Sequence, residues 1–221
     1  MPMHRGESLF QQSMKKLEQE TTILQRIDHS NIVKLLDHFV EDHRGYVVLD
    51  FVEGTPLKQL VETQGRQAEA LVIDLAIQVC GILEYLHGLE PQIVHRDLTP
   101  DNLILQASGS LKLVDFNVAQ QLESAATATV VGKHAYIPPE QFRGRPSAQS
   151  DIYAFGGTLH FLLTGREPEP LSSSHPRALE PAVSQALDEI IARATALDCG
   201  KRYADASSLK ADLLVLRQKT C

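Results

Sequence analysis

His95-Arg96-Asp97-Leu98-Thr99-Pro100-Asp101-Asn102, followed one short hairpin later by Asp115-Phe116-Asn117, is the stretch on which the reading of this chain turns. Aspartate and asparagine are hard oxygen donors of the kind that hold a divalent cation, and a carboxylate in a polar loop can take the proton of a hydroxyl. The same residues are ordinary turn formers, so the loop by itself reads as a turn. Its surroundings add to it. Leu103-Ile104-Leu105 and Leu111-Lys112-Leu113-Val114, separated by Ala107-Ser108-Gly109-Ser110, predict a small hairpin that displays polar groups at its two ends.

Outward from there the chain changes character. Phe10, Met14, Leu17, Leu24 and Ile27 recur at helical period and predict a helix over 8–27. Residues 32–40 and 46–52 are rich in β-branched and aromatic side chains around a glycine-containing loop, and predict two antiparallel strands. Thr55-Pro56 offers a helix start with proline at the first position, and residues 67–87 predict a long helix. Further helices are expected over 149–164 with Gly165 as the stop, over 181–196 and over 205–216, with a loop rich in proline and serine over 167–181. The fold class expected is α+β, with residues 1–52 as a small first lobe and 53–221 as a mainly helical second lobe.

The motifs and their order resemble the protein-kinase family, Ser/Thr type. The loop at 95–102 is similar to the family's catalytic loop, Asp115-Phe116-Asn117 to its metal-binding triplet, and Pro138-Pro139-Glu140 to the end of its activation segment. The resemblance runs from about Leu9 to Arg217 and implies a kinase-like fold with a truncated small N-lobe, one helix plus a hairpin, on a helical C-lobe. It implies Asp97 as the catalytic base, Asn102 and Asp115 as Mg²⁺ ligands and ATP as the phosphoryl donor. It implies Leu49, Asp50 and Val52 as the hinge that meets adenine and Ile104 as the apolar floor beneath the ring. Asp151 matches the helix aspartate that holds the catalytic loop, and Arg202 the arginine that pairs with Glu140. Leu24, Leu35, His95 and Phe116 match the apolar column between the lobes, and Glu20 the helix glutamate that pairs with a strand lysine.

Several positions depart from the family pattern. Gly6 is the only glycine ahead of Gly45, so no glycine-rich phosphate loop is present, and the strand lysine would fall at or before Met1. Asn117 stands for the usual glycine of the triplet, a residue that tolerates positive φ. Thr99 stands where a lysine usually touches the transferred phosphate, while Lys133, after Gly132, stands where a threonine is usual. The two residue types are exchanged, and the resemblance implies that Lys133 supplies the charge and Thr99 a hydroxyl toward Asp97. Thr127 and Thr129 lie where the family carries an activating phosphate that pairs with Arg96.

The expected activity is transfer of the ATP γ-phosphoryl group to a Ser or Thr hydroxyl of a protein, weak in this chain by itself. The alternative is a catalytically impaired pseudokinase that acts as an interaction module. Small-molecule phosphotransfer of the aminoglycoside-kinase kind is disfavoured by Arg96 and Pro138-Pro139-Glu140. A net charge of −7 without a run of Lys or Arg longer than Lys15-Lys16 argues against nucleic acid. Cys80, Cys199 and Cys221 form no C-x-x-C pair and suggest neither disulfides nor zinc. The apolar stretch 70–86 is broken by Asp74, Gln78 and Glu84, so no membrane span is expected and the location is read as cytoplasmic. An edge rich in Val47, Val48 and Leu49 predicts self-association or a partner that caps it.

Overall fold

The computed structural model describes residues 14, 17, 18, 21–42, 44–115 and 133–220, the side chains of Lys133 and Thr220 excepted. Met14, Leu17, Glu18 and residues 21–24 are helical. Two strands follow, β1 (Leu35–Glu41) and β2 (Arg44–Leu49), paired antiparallel with Phe39 opposite Tyr46. The first strand starts three residues later than its composition predicts, because Ile32 bridges Leu113 instead. Val33 N–H donates to Leu113 C=O at 3.0 Å and Leu113 N–H to Asn31 C=O at 2.8 Å. Phe51 and Val52 lie past the end of β2 rather than within it.

Thr55–Pro56 forms a two-residue strand, β3, before α1 (Leu57–Gln64), and does not cap that helix through a side chain. It pairs with Leu105 and Ile104 of β4 (Leu103–Leu105), which pairs in turn with β5 (Leu111–Leu113). The chain can turn into β3 only through Gly54, since a Cβ there would stand 2.5 Å from the Leu105 carbonyl oxygen. Between these strands runs α2 (Glu69–Gly88), which is long and apolar enough by composition to cross a membrane. Here it is the core helix: Val72, Ile73, Leu75, Ala76, Val79, Cys80, Ile82, Leu83 and Leu86 are all buried. Each such large side chain contributes about 1.5–3 kcal/mol on removal from water. Burial pushes the Cys80 thiol up to about 12, as fits an inert core residue.

After α3 (Pro139–Phe142) comes α4 (Ala148–Thr164), opened by a reciprocal Ser147–Ser150 capping box and closed by Gly165 at φ +70°. Every residue from Ser150 to Leu163 is buried, so this helix is a central post of the lobe. The loop rich in proline and serine contains a short helix, α5 (Pro176–Leu179), and the helix expected from Pro181 starts only at Gln185, as α6 (Gln185–Ala194). Ser184 caps it and also donates to Glu69 at the start of α2. The last helix, α7 (Ala206–Thr220), packs along α2, where Lys210 pairs with Glu84 at 2.6 Å.

The first helical segment is tied to this lobe rather than standing apart. Asp28 N–H donates to the Tyr85 hydroxyl at 2.7 Å, and the Arg26 guanidinium to the Pro91 carbonyl at 2.7 Å. Asn31 donates to the Leu111 carbonyl at 2.7 Å.

Candidate active site

The loop after α2 is held from below by one carboxylate. Asp151 lies in the first turn of α4 with no solvent exposure, where the helix N-terminus favours negative charge. Its Oδ1 accepts from Arg96 N–H at 2.7 Å, and its Oδ2 accepts from His95 N–H at 2.9 Å and lies 2.9 Å from His87 Nε2. A buried carboxylate without such donors would cost several kcal/mol. Two more bonds fix the loop's carbonyls, from Thr158 Oγ1 to Leu98 O at 3.0 Å and from Gln141 Nε2 to Arg96 O at 2.9 Å. Arg96 takes the left-handed conformation, φ +70°, that turns the chain between His95 and Asp97.

Above this anchor the oxygen donors converge. Asn102 Nδ2 donates to Asp97 O at 2.7 Å and to Asp97 Oδ2 at 3.2 Å, while the Asn102 carbonyl accepts from Val114 N–H at 2.9 Å. Asp115 follows directly, also left-handed at φ +62°. One asparagine thus ties the residue expected as base to the strand end that leads to Asp115, the second expected ligand. With Nδ2 committed to Asp97, the side-chain oxygen of Asn102 is the atom left to meet a metal ion, as the expected role requires. Two hard oxygen ligands are few for an all-protein metal cage but suit Mg²⁺, which keeps waters and phosphate oxygens in its remaining positions.

Leu49 ends β2, Asp50 N–H donates to Lys34 O at 2.8 Å, and Val52 is half-buried while Phe51 is 87% exposed. Ile104, opposite Pro56 in β4, lies close against Gly54, two residues past the expected hinge: a Cβ added there would stand 2.7 Å from its Cγ2. Leu24 and His95 are buried and Leu35 is half-buried, as members of an apolar column would be. Burial lowers the His95 pKa against the opposing pull of Asp151, Asp97 and Asp115, so this ring is neutral near pH 7.

Glu140 and Arg202 form the expected pair, bidentate at 2.6 and 3.0 Å, with the arginine side chain wholly buried. Ser150 adds a third bond to the carboxylate at 2.8 Å, and Arg202 spends its remaining donors on the Ala196, Gln149 and Leu197 carbonyls. Burial raises the Glu140 pKa, but the hydrogen bonds from Arg202 and Ser150 outweigh it and hold the carboxyl low.

Thr99 is 2% exposed and reaches Asp97 through its backbone, N–H to O at 3.0 Å. Its hydroxyl finds no hydrogen-bond partner among the described residues. Lys133 opens the short 3₁₀ turn Lys133–Tyr136 ahead of α3, and its side chain lies outside the described residues, as do Glu20, Phe116, Asn117, Thr127, Thr129 and Gly132. Sequence reasoning missed His87, Thr158 and Gln141, which orient the loop, and Lys58, which pairs with Asp101 at 3.5 Å. Nothing local marks them, since their partners are distant in the chain.

A family model described as a protein kinase domain matches residues 4–214. Serine/threonine-protein kinase PrkC of Bacillus subtilis is 34% identical over 217 residues, covering 90% of this chain and 33% of that protein. A probable serine/threonine-protein kinase PknB of Lactococcus lactis is 32% identical, covering 91% and 34%. The chain therefore spans about a third of the length of these relatives. Among solved structures, the apo form of PpkA-294 superposes with a TM-score of 0.83 at 27% identity, covering 96% of this chain and 79% of that one. Rad53 1-466 in complex with AMP-PNP shares the fold, with a TM-score of 0.73 at 24% identity over 88% of this chain and 53% of that one.

Proposed function

Because the chain belongs to the protein kinase family, with serine/threonine kinases among its relatives, we propose that it transfers the γ-phosphoryl group of ATP to a Ser or Thr hydroxyl of a protein substrate. The observation that carries this reading is the Asn102 side chain, bonded twice to Asp97 while its backbone holds the strand that leads to Asp115. That arrangement keeps an acceptor for the substrate hydroxyl's proton beside two oxygen ligands. Asp97 takes the proton, and Asn102 and Asp115 hold Mg²⁺. Mg²⁺, when bound, offsets the negative charge of the transferring phosphoryl group. The backbone of Leu49, Asp50 and Val52 meets the adenine edge and Ile104 packs beneath the ring.

Thr99 and Lys133 complete the assignment. Lys133 supplies the positive charge toward the transferred phosphate that the family's lysine supplies from the position of Thr99, and Thr99 provides a hydroxyl at the base. Thr99 N–H donates to the Asp97 carbonyl at 3.0 Å, which supports a place for Thr99 beside the base, although its hydroxyl makes no bond to Asp97 among the described residues. We place the protein in the cytoplasm, and a phosphate on Thr127 or Thr129 would pair with Arg96.

Binding of a fluorescent ATP analogue tests the reading. Affinity is expected to depend on Mg²⁺, and Asp115→Asn is expected to abolish that dependence. Binding that ignores both the metal and Asp115 would leave the interaction-module alternative in its place.

A further inference from the structure

Among the described residues β2 pairs on one side only, with β1, so alternate N–H and C=O groups along its other side point away from the sheet. Its two faces differ. An added Cβ on Gly45 would collide with Leu17 and Met14, so Gly45, Val47 and Leu49 face the first helical segment. Tyr46 and Val48 face the other way, exposed by 39% and 37%, and the Phe39 ring stacks on Tyr46 with centroids 5.0 Å apart.

We propose that this edge is the interface for a second copy of the chain, with two β2 strands antiparallel about a twofold axis at Val47. Three physical conditions select this register. A slip of one residue would oppose Tyr46 to Leu49 and mix the two faces, so only registers that keep like faces together are admissible. Of these, centring on Tyr46 sets Arg44 against Val48, and centring on Val48 sets Tyr46 against Asp50. Centring on Val47 sets Tyr46 against Val48, an aromatic and β-branched cross-strand pair, and Arg44 against Asp50. Both charged residues are exposed, and the twofold repeats their pair at each end of the interface. The product is a four-stranded sheet whose outer face joins Phe39, Tyr46 and Val48 of both copies. This proposal does not rest on phosphoryl transfer, although its interface takes in Leu49 and Asp50, which the proposed nucleotide site also uses.

Light scattering coupled to size exclusion, on the 221-residue chain without nucleotide, tests it. A dimer is expected at about 10–100 μM. Arg44→Glu sets like charges against each other at both ends and is expected to raise the dissociation constant about tenfold or more, as is Asp50→Arg. The double variant Arg44→Glu with Asp50→Arg is expected to return within about threefold of the original. Helical circular dichroism of each variant verifies that it is folded. A monomer across the whole range, open-ended aggregation, or a dimer indifferent to both single changes would overturn the proposal.

Discussion

Asn102 donates its side-chain amide to Asp97 twice, at 2.7 Å to the backbone carbonyl and at 3.2 Å to Oδ2. One side chain thereby sets the shape of the loop and the direction of the carboxylate expected to act as base. Asn102→Asp replaces the donor with an acceptor and places a second negative charge beside Asp97. The expected result is a fall of about a hundredfold or more in phosphoryl transfer and a loss of about 1–3 kcal/mol of stability. Paired urea titrations and rate measurements would check it, and an unchanged rate would remove Asn102 from the site.

Asp151 predicts the cost of losing the anchor. Asp151→Asn keeps the shape but turns one acceptor oxygen into a donor that faces the N–H groups of His95 and Arg96. One buried donor is left unpaired and the charge-assisted bonds weaken, a cost of about 2–4 kcal/mol. In a chain of this size each kcal/mol lowers Tm by about 2–4 °C. A drop of about 5–15 °C is expected by scanning calorimetry, and a drop under 2 °C would mean that the loop holds its shape without this carboxylate.

Acid stability follows from the buried histidines. His95 and His160 both have pKa values lowered from 6.5, chiefly by burial. With the folded value depressed, each group's contribution is fully present above pH 6.5 and is lost as pH falls from there through the folded pKa, because the unfolded chain takes up the proton first. Glu140 is also depressed and adds a loss below about 4.5. The urea midpoint is expected to fall between pH 7 and pH 5, and to fall less steeply in His160→Leu. Identical slopes would show that His160 does not titrate between the two states.

Much of this fold is legible from residue patterns, and particular residues show where legibility ends. The loop at 95–102, the small hairpin of β4 and β5 and the stop at Gly165 are encoded locally, in turn chemistry and apolar runs that any window reveals. Thr55-Pro56 is a mixed case: the helix its local signal announces does open, at Leu57, but pairing with Ile104 and Leu105 makes the two residues themselves a strand. Ile32 likewise leaves the expected strand because Leu113 offers a partner 81 positions away. In the candidate site, Asp97, Asn102 and Asp115 are suggested by their motif, and the structure brings Asp97 and Asn102 together, whereas His87 and Thr158 reach the loop from helices and carry no local mark of that role.

The exchange of residue types at Thr99 and Lys133 predicts a specific pattern of rates. Lys133→Ala is expected to slow transfer about tenfold to a hundredfold, the effect of one charge-assisted phosphate contact of about 1.5–3 kcal/mol. Thr99→Lys combined with Lys133→Thr is expected to recover much of the rate. Steady-state assays at saturating ATP would check both, and a Lys133→Ala variant as fast as the original would show the exchange to be accidental.

The most direct measurement is transfer of label from γ-labelled ATP with Mg²⁺ to a protein acceptor, comparing the chain with Asp97→Asn. The variant preserves the shape of the loop and removes the proton acceptor. Label is expected on serine or threonine of the acceptor, at a rate lowered about a hundredfold or more in Asp97→Asn. No transfer at saturating ATP and Mg²⁺, or equal transfer by the chain and the variant, would contradict the assignment of this loop as a phosphoryl-transfer site.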